Sequence, residues 1–82
     1  MIKVEFFGNY RMAFKTAEIL IEADNLKELI NEISKRFSCL EKEEIANAVF
    51  FINDKAVKGL FKSRVRLNDG DRVLMMSPSG GG

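Results

Sequence analysis

Leu26, Leu29, Ile30, Ile33 and Phe37 recur at i, i+3, i+4, i+7 and i+11, which puts all five on one face of an α-helix. The start of this helix is also marked. Asn25 can accept a hydrogen bond from an early backbone N–H, and Glu28, three residues on, can reach back, as in a capping box with Asn in the Ser/Thr place. The spacing predicts a helix over about Leu26 to Phe37. Whatever else the chain forms must give this one apolar stripe a surface to bury against.

The flanking segments supply that surface as strands. Ile2, Val4 and Phe6 alternate with Lys3 and Glu5 at the period of a half-buried strand over residues 2–7, and Gly8-Asn9 breaks it. Residues 15–22 alternate again, with Ala17, Ile19 and Ile21 on one side and Thr16, Glu18 and Glu22 on the other, so the two segments read as a hairpin with a loop of several residues. Beyond the helix and a charged connection at 41–44, Ala48-Val49-Phe50-Phe51-Ile52 is apolar on both faces and suits a central strand. Asn53-Asp54 offers a turn, 55–57 a short return strand, and an irregular stretch runs from Gly59 to Leu67. Asn68-Asp69-Gly70-Asp71 is the strongest turn signal, followed by a last strand, Arg72-Val73-Leu74-Met75-Met76. A hairpin, a crossover helix and a returning strand require a strand parallel to an earlier one, with the helix on one face. The expected fold is α+β, a β-grasp (ubiquitin-like) mixed sheet of four to five strands with one main helix. Residues 1–78 form the domain and 79–82 a flexible tail.

Composition narrows the chemistry. At 82 residues the chain buries only about 60–65% of its unfolded surface and has room for one core. It has no His and one Cys, so it contains neither a Cys/His zinc site nor a Ser–His or Cys–His pair, and Cys39 reads as a small apolar filler after the helix. Thirteen basic against twelve acidic residues give a net charge of +1, too little to draw it to nucleic acid or an anionic membrane. Lys58, Lys62, Arg64 and Arg66 beside Phe61 form a local basic cluster, read as a solvated face or a dock for an acidic partner. No apolar run is long enough to span a bilayer and the N-terminus has no signal-peptide pattern, so a cytoplasmic location is expected.

The ordered pattern stops at Pro78, and the sequence ends Ser79-Gly80-Gly81-Gly82. Glycine adds nothing to a core and carries the largest ordering entropy, so stability does not explain three in a row. Access does: a backbone without Cβ atoms passes through a narrow channel and presents its carboxylate inside another protein. Once the carboxylate of Gly82 is activated, as in an acyl adenylate, its unhindered carbonyl is open to a sulfur nucleophile, which leaves a C-terminal thiocarboxylate on a mobile arm. A frayed end is the plain alternative for a Gly/Ser-rich terminus.

Met1-Ile2-Lys3-Val4 with Phe6-Phe7, then Leu67-Asn68-Asp69-Gly70-Asp71-Arg72-Val73, then Gly81-Gly82 resemble the MoaD/ThiS family of sulfur carriers related to ubiquitin. The resemblance covers essentially the whole chain. Length and the Phe6-Phe7 opening are most similar to the small subunit of molybdopterin synthase, which implies two partners: a ubiquitin-activating-like enzyme that adenylates Gly82 with ATP, and a large synthase subunit that consumes the sulfur. The chain itself then needs no bound cofactor and no active site of its own, with Gly80 and Gly81 threading the partner's channel. Two positions depart from the synthase pattern, Ser77 where Pro-Pro usually begins and Gly80 where a side chain is usual; the triple glycine is closer to some thiamin-pathway carriers. Attack by a lysine amine, as in ubiquitin-like modifiers, and a noncovalent interaction domain are the competing readings. The resemblance also implies Met76 as a docking contact, with Phe7 second and Leu74 named with them. Alternation along the last strand puts Leu74 and Met76 on one face and Val73 and Met75 on the other, and one helix covers only one of them.

Overall fold

A computed structural model of the chain describes residues 1–57 and 64–77. Its elements run β1 (Ile2–Phe6), α1 (Asn9–Phe14), β2 (Glu18–Ile21), α2 (Leu26–Arg36), α3 (Lys42–Ala46), β3 (Val49–Ile52), β4 (Lys55–Val57) and β5 (Arg72–Met76). The strands form one mixed sheet in the order β2-β1-β5-β3-β4, with β1 and β5 parallel and the other neighbours antiparallel. This is the β-grasp arrangement, with α2 as its main helix. The central position belongs to β5, and β3 lies beside it. The apolar run at 49–52 is thus interior to the sheet without being its middle strand.

Register follows from alternation. Ile2 faces Ile21 across β1 and β2, Val4 faces Val73, Phe6 faces Met75, and Met75 faces Phe50, so these side chains share the inner face. Leu26, Leu29, Ile30 and Ile33 of α2 are buried with them in one core. Each such side chain contributes about 1.5–3 kcal/mol on leaving water. An 11-residue helix is marginal by itself, so this packing holds α2 in place. The cap is as expected on one side, the Glu28 N–H donating to Asn25 Oδ1 at 2.8 Å. Glu28 reaches back one residue further than predicted, accepting from the Asp24 N–H at 2.9 Å.

Two turns tie the sheet's far end. Asn53 and Asp54 both take positive φ, 48° and 73°, the backbone that a two-residue hairpin needs to match strand twist. Gly70 sits at φ 91°, where a side chain would be strained even though the space beside it is open. Asp71 joins them: its carboxylate accepts from the Asn68 N–H at 2.8 Å and Asn53 Nδ2 at 3.0 Å, while Asn53 Oδ1 accepts from the Arg72 N–H at 3.0 Å. These donors, the Asn68 N–H first and Asn53 second, hold the Asp71 carboxyl below its ordinary pKa.

Four expectations change. The loop between β1 and β2 contains α1, whose Phe14 is buried against Phe6 (ring centroids 4.8 Å apart) and Phe37 (4.3 Å). Consequently β2 begins at Glu18, and Ala17, expected on the inner face, precedes the strand and is exposed. The charged connection contains α3, which buries Ile45. Cys39 is exposed, its Sγ 3.6 Å from the Ala13 carbonyl, and fills no core space. Among the described residues no helix is long and apolar enough to cross a membrane.

Candidate functional site: the open sheet face at the tail end

Because β5 runs parallel to β1, both strands finish at the same end of the sheet, and the Phe7 N–H donates to the Met75 carbonyl at 3.1 Å. The chain therefore leaves the sheet through Met76 and Ser77 directly beside Phe7. β3 begins at this end as well, with Val49 opposite Met76.

The outer face, which α2 does not cover, divides into two halves. In the row nearest the tail Met76 faces Val49, and Phe7 comes next in the alternation of β1. In the row below, Leu74 lies between Glu5 and Phe51, and Phe51 faces Ala56. Further from the tail the face carries ion pairs beside an exposed Leu20 opposite Lys3: Lys3 Nζ is 3.5 Å from Glu18, and Arg72 reaches Glu5 at 3.6 Å and Asp54 at 3.2 Å. Exposed pairs of this kind contribute about 0–1 kcal/mol, too little to organise a fold. Their effect is to keep that half of the face wet, while Phe7, Val49, Phe51, Leu74 and Met76 form a continuous apolar patch toward the tail. Phe7 is 48% exposed, and the other four are half-buried by one another. By contrast Val73 and Met75 of the same strand are fully buried.

At the rim of the patch, Asn9, Tyr10 and Ala13 of α1, Leu40 and Glu44 from the α3 side, and Ser77 enclose a cleft of about 290 Å³. Partial burial, and then the Glu44 carboxylate, push the Tyr10 phenol above its ordinary pKa, so it remains a neutral hydroxyl at physiological pH.

The structure thus brings together the three residues named from sequence as docking contacts, Met76, Phe7 and Leu74. It adds Val49 and Phe51, which sequence reasoning assigned only to a strand apolar on both faces. Phe14 of α1, the α2 stripe and Ile45 of α3 all pack into the one core on the inner face, so the apolar residues of the other face stay partly open, and the sign of a second apolar face was present in the run 48–52. Gly80, Gly81 and Gly82, with Pro78 and Ser79, lie outside the described residues. So do Lys58, Phe61 and Lys62 of the basic cluster, whose Arg64 and Arg66 are exposed.

The chain matches the ThiS family over residues 4–82. It belongs to that family, the ubiquitin-like sulfur carriers. Among solved structures it is similar to a putative molybdopterin converting factor subunit 1 from Pyrococcus furiosus, with 28% identity, a TM-score of 0.75, and 94% of this chain and 95% of that one covered. It is also similar to a chain of the complex of subunits 1 and 2 of molybdopterin-converting factor from Helicobacter pylori 26695, with 27% identity, a TM-score of 0.66, and 94% and 92% covered. Small archaeal modifier protein 1 from Methanosarcina acetivorans superimposes with a TM-score of 0.80 over 99% of this chain and 95% of that one; at 23% identity the likeness is one of fold. No curated protein sequence matches the chain.

Proposed function

We propose that this chain carries sulfur on its C-terminus for molybdopterin biosynthesis, as the small, sulfur-donating subunit of a molybdopterin synthase. The observation that supports the reading is the parallel pairing of β5 with β1, which brings Met76 and Ser77, the last described residues before the glycines, to the edge of the sheet face that α2 leaves open among the described residues. A partner that grips Phe7, Leu74 and Met76 thereby gains the tail at short range, and the two contacts bind as linked elements. The choice of pathway is supported by the 28% and 27% identity to molybdopterin converting factor subunit 1 proteins.

The chemistry proceeds in two partner-assisted steps. In the adenylating enzyme the Gly82 carboxylate attacks the α-phosphate of ATP and displaces pyrophosphate, giving an acyl adenylate. A hydrosulfide equivalent from a sulfur donor then attacks the carbonyl and AMP leaves, so a C–S bond replaces a C–O bond and the product is a thiocarboxylate. On a large synthase subunit the thiocarboxylate sulfur attacks an electrophilic carbon of the pterin precursor, forming a C–S bond as the C–O bond to an oxygen leaving group breaks. Hydrolysis of the resulting thioester restores the Gly82 carboxylate. ATP is consumed by the partner, and this chain contributes its carboxylate and its docking face.

Intact mass after incubation with ATP, an adenylating enzyme and a sulfur donor tests the reading. The expected gain is the replacement of one oxygen by one sulfur, abolished by one extra residue after Gly82. Formation of an isopeptide with lysine under the same conditions, with no thiocarboxylate, would instead assign the chain to protein conjugation.

A further inference from the structure

Two chain segments lead from the apolar patch into the cleft at the tail's root: Phe7 continues through Gly8 to Asn9 and Tyr10, and Met76 continues to Ser77. Any protein that covers the patch and takes the tail therefore also covers this cleft. Its lining is not uniformly apolar. Ala13, Leu40 and the Tyr10 ring offer apolar surface, whereas Glu44 and the Asn9 amide offer oxygen acceptors. Glu44 is exposed, and among the described residues no Lys or Arg forms an ion pair with it. Tyr10 stacks on Phe14 at 6.1 Å with the ring planes 25° apart, which anchors it in the core.

A carboxylate with no ion-pair partner among the described residues, beside an anchored aromatic ring, is complementary to a planar cation. From this geometry we infer that the cleft of Asn9, Tyr10, Ala13, Leu40, Glu44 and Ser77 receives an arginine side chain of the adenylating enzyme, its guanidinium on Glu44 and over the Tyr10 ring and its stem along Leu40. Arginine suits the site better than lysine because a guanidinium both stacks on an aromatic ring and offers parallel N–H donors to a carboxylate. Burial raises the Tyr10 pKa first and the Glu44 carboxylate second, and the second cause agrees with Glu44 lying near the ring in the cleft they both line. The contact would set the orientation of the domain when the tail enters the adenylating site, because the patch is apolar and by itself tolerates rotation. This inference rests on the carrier reading, and its test separates the two.

Affinity for the adenylating enzyme is measured by calorimetry at low and high salt for the unaltered chain, Glu44→Gln, Tyr10→Leu and Met76→Asp, with thermal unfolding as a folding control. Glu44→Gln is expected to weaken binding about tenfold at low salt and to reduce the salt dependence, with unfolding unchanged because Glu44 is exposed. In parallel, amide shifts of Tyr10, Ala13 and Ser77 are followed during titration with N-acetylarginine methylamide and with its uncharged citrulline analogue. Shifts caused by the arginine probe alone, and lost in Glu44→Gln, support the site. Full affinity in Glu44→Gln together with loss in Met76→Asp overturns the arginine site and leaves the carrier reading standing. Full affinity in both variants overturns the arginine site and also removes the docking face from the carrier reading.

Discussion

Met75 and Met76 are adjacent in sequence, identical in chemistry and opposite in environment, so truncating each in turn isolates what the sheet's two faces contribute. Met75 is fully buried between Phe6 on β1 and Phe50 on β3. Met75→Ala removes a thioether from a packed interior and leaves a cavity that the strands on either side cannot close, which costs about 2–5 kcal/mol. A domain of 82 residues has a total stability of about 4–12 kcal/mol, so the variant loses a large share of it. Each kcal/mol lowers Tm by about 4–8 °C at this size, and a drop of at least about 8 °C is expected. Met76 faces Val49 on the open side and is half-buried, and Met76→Ala should cost less than about 1 kcal/mol. Urea unfolding at neutral pH measures both, with the slope checked for equality so that the midpoints compare stabilities. Binding to the partner must show the reverse order, with Met76→Asp weakening the complex while the fold survives. Equal destabilisation by the two truncations would refute the division into one packed and one open face, and with it the docking surface.

Removing Gly81 and Gly82 should leave thermal unfolding within about 0.5 kcal/mol of the full chain while adenylation is lost; a truncated chain that still supports sulfur transfer would sink the carrier reading. Asp71 has a depressed folded pKa, so the stability it contributes is fully present above the unfolded carboxylate value of about 4 and is lost as pH falls through the folded value. Asp71→Asn should therefore flatten the acid limb of a urea stability profile taken between pH 5 and pH 2, and an unchanged limb would show that the Asn68 and Asn53 bonds do not stabilise the charged form. Asn25→Ala removes the acceptor for the Glu28 N–H and should cost about 0.5–2 kcal/mol by urea unfolding, with Asn25→Asp retaining most of the stability.

Much of this protein was legible along the chain because its signals are local. The stripe from Leu26 to Ile33 fixes an apolar helical face by spacing alone and Asn25 marks where it starts, while Phe37, expected in its last turn, is the extended residue that follows the helix. The turn at 68–71 depends on Gly70 at positive φ and on the short side chain of Asp71, both properties of the residues themselves. Short helices were not legible in the same way. With six residues and only Phe14 buried, α1 has no stripe to detect, and α3 has five residues around Ile45. Nucleating such helices is unfavourable in isolation, and they form because Phe14 fits between Phe6 and Phe37 and because Ile45 reaches the core.

The alternation of β5 by itself divided Val73 and Met75 from Leu74 and Met76, but it could not say which pair would face α2. That was decided by the register of β5 against β1 and β3, which set Met75 between Phe6 and Phe50. Likewise Phe7 and Met76 lie almost the whole chain apart, and no local pattern relates them. The parallel pairing of the first and last strands joins them at one end, beside Tyr10, Glu44 and Ser77. Spacing along a chain reports what each segment can bury; strand order, a property of the closed sheet, determines which exposed residues become neighbours.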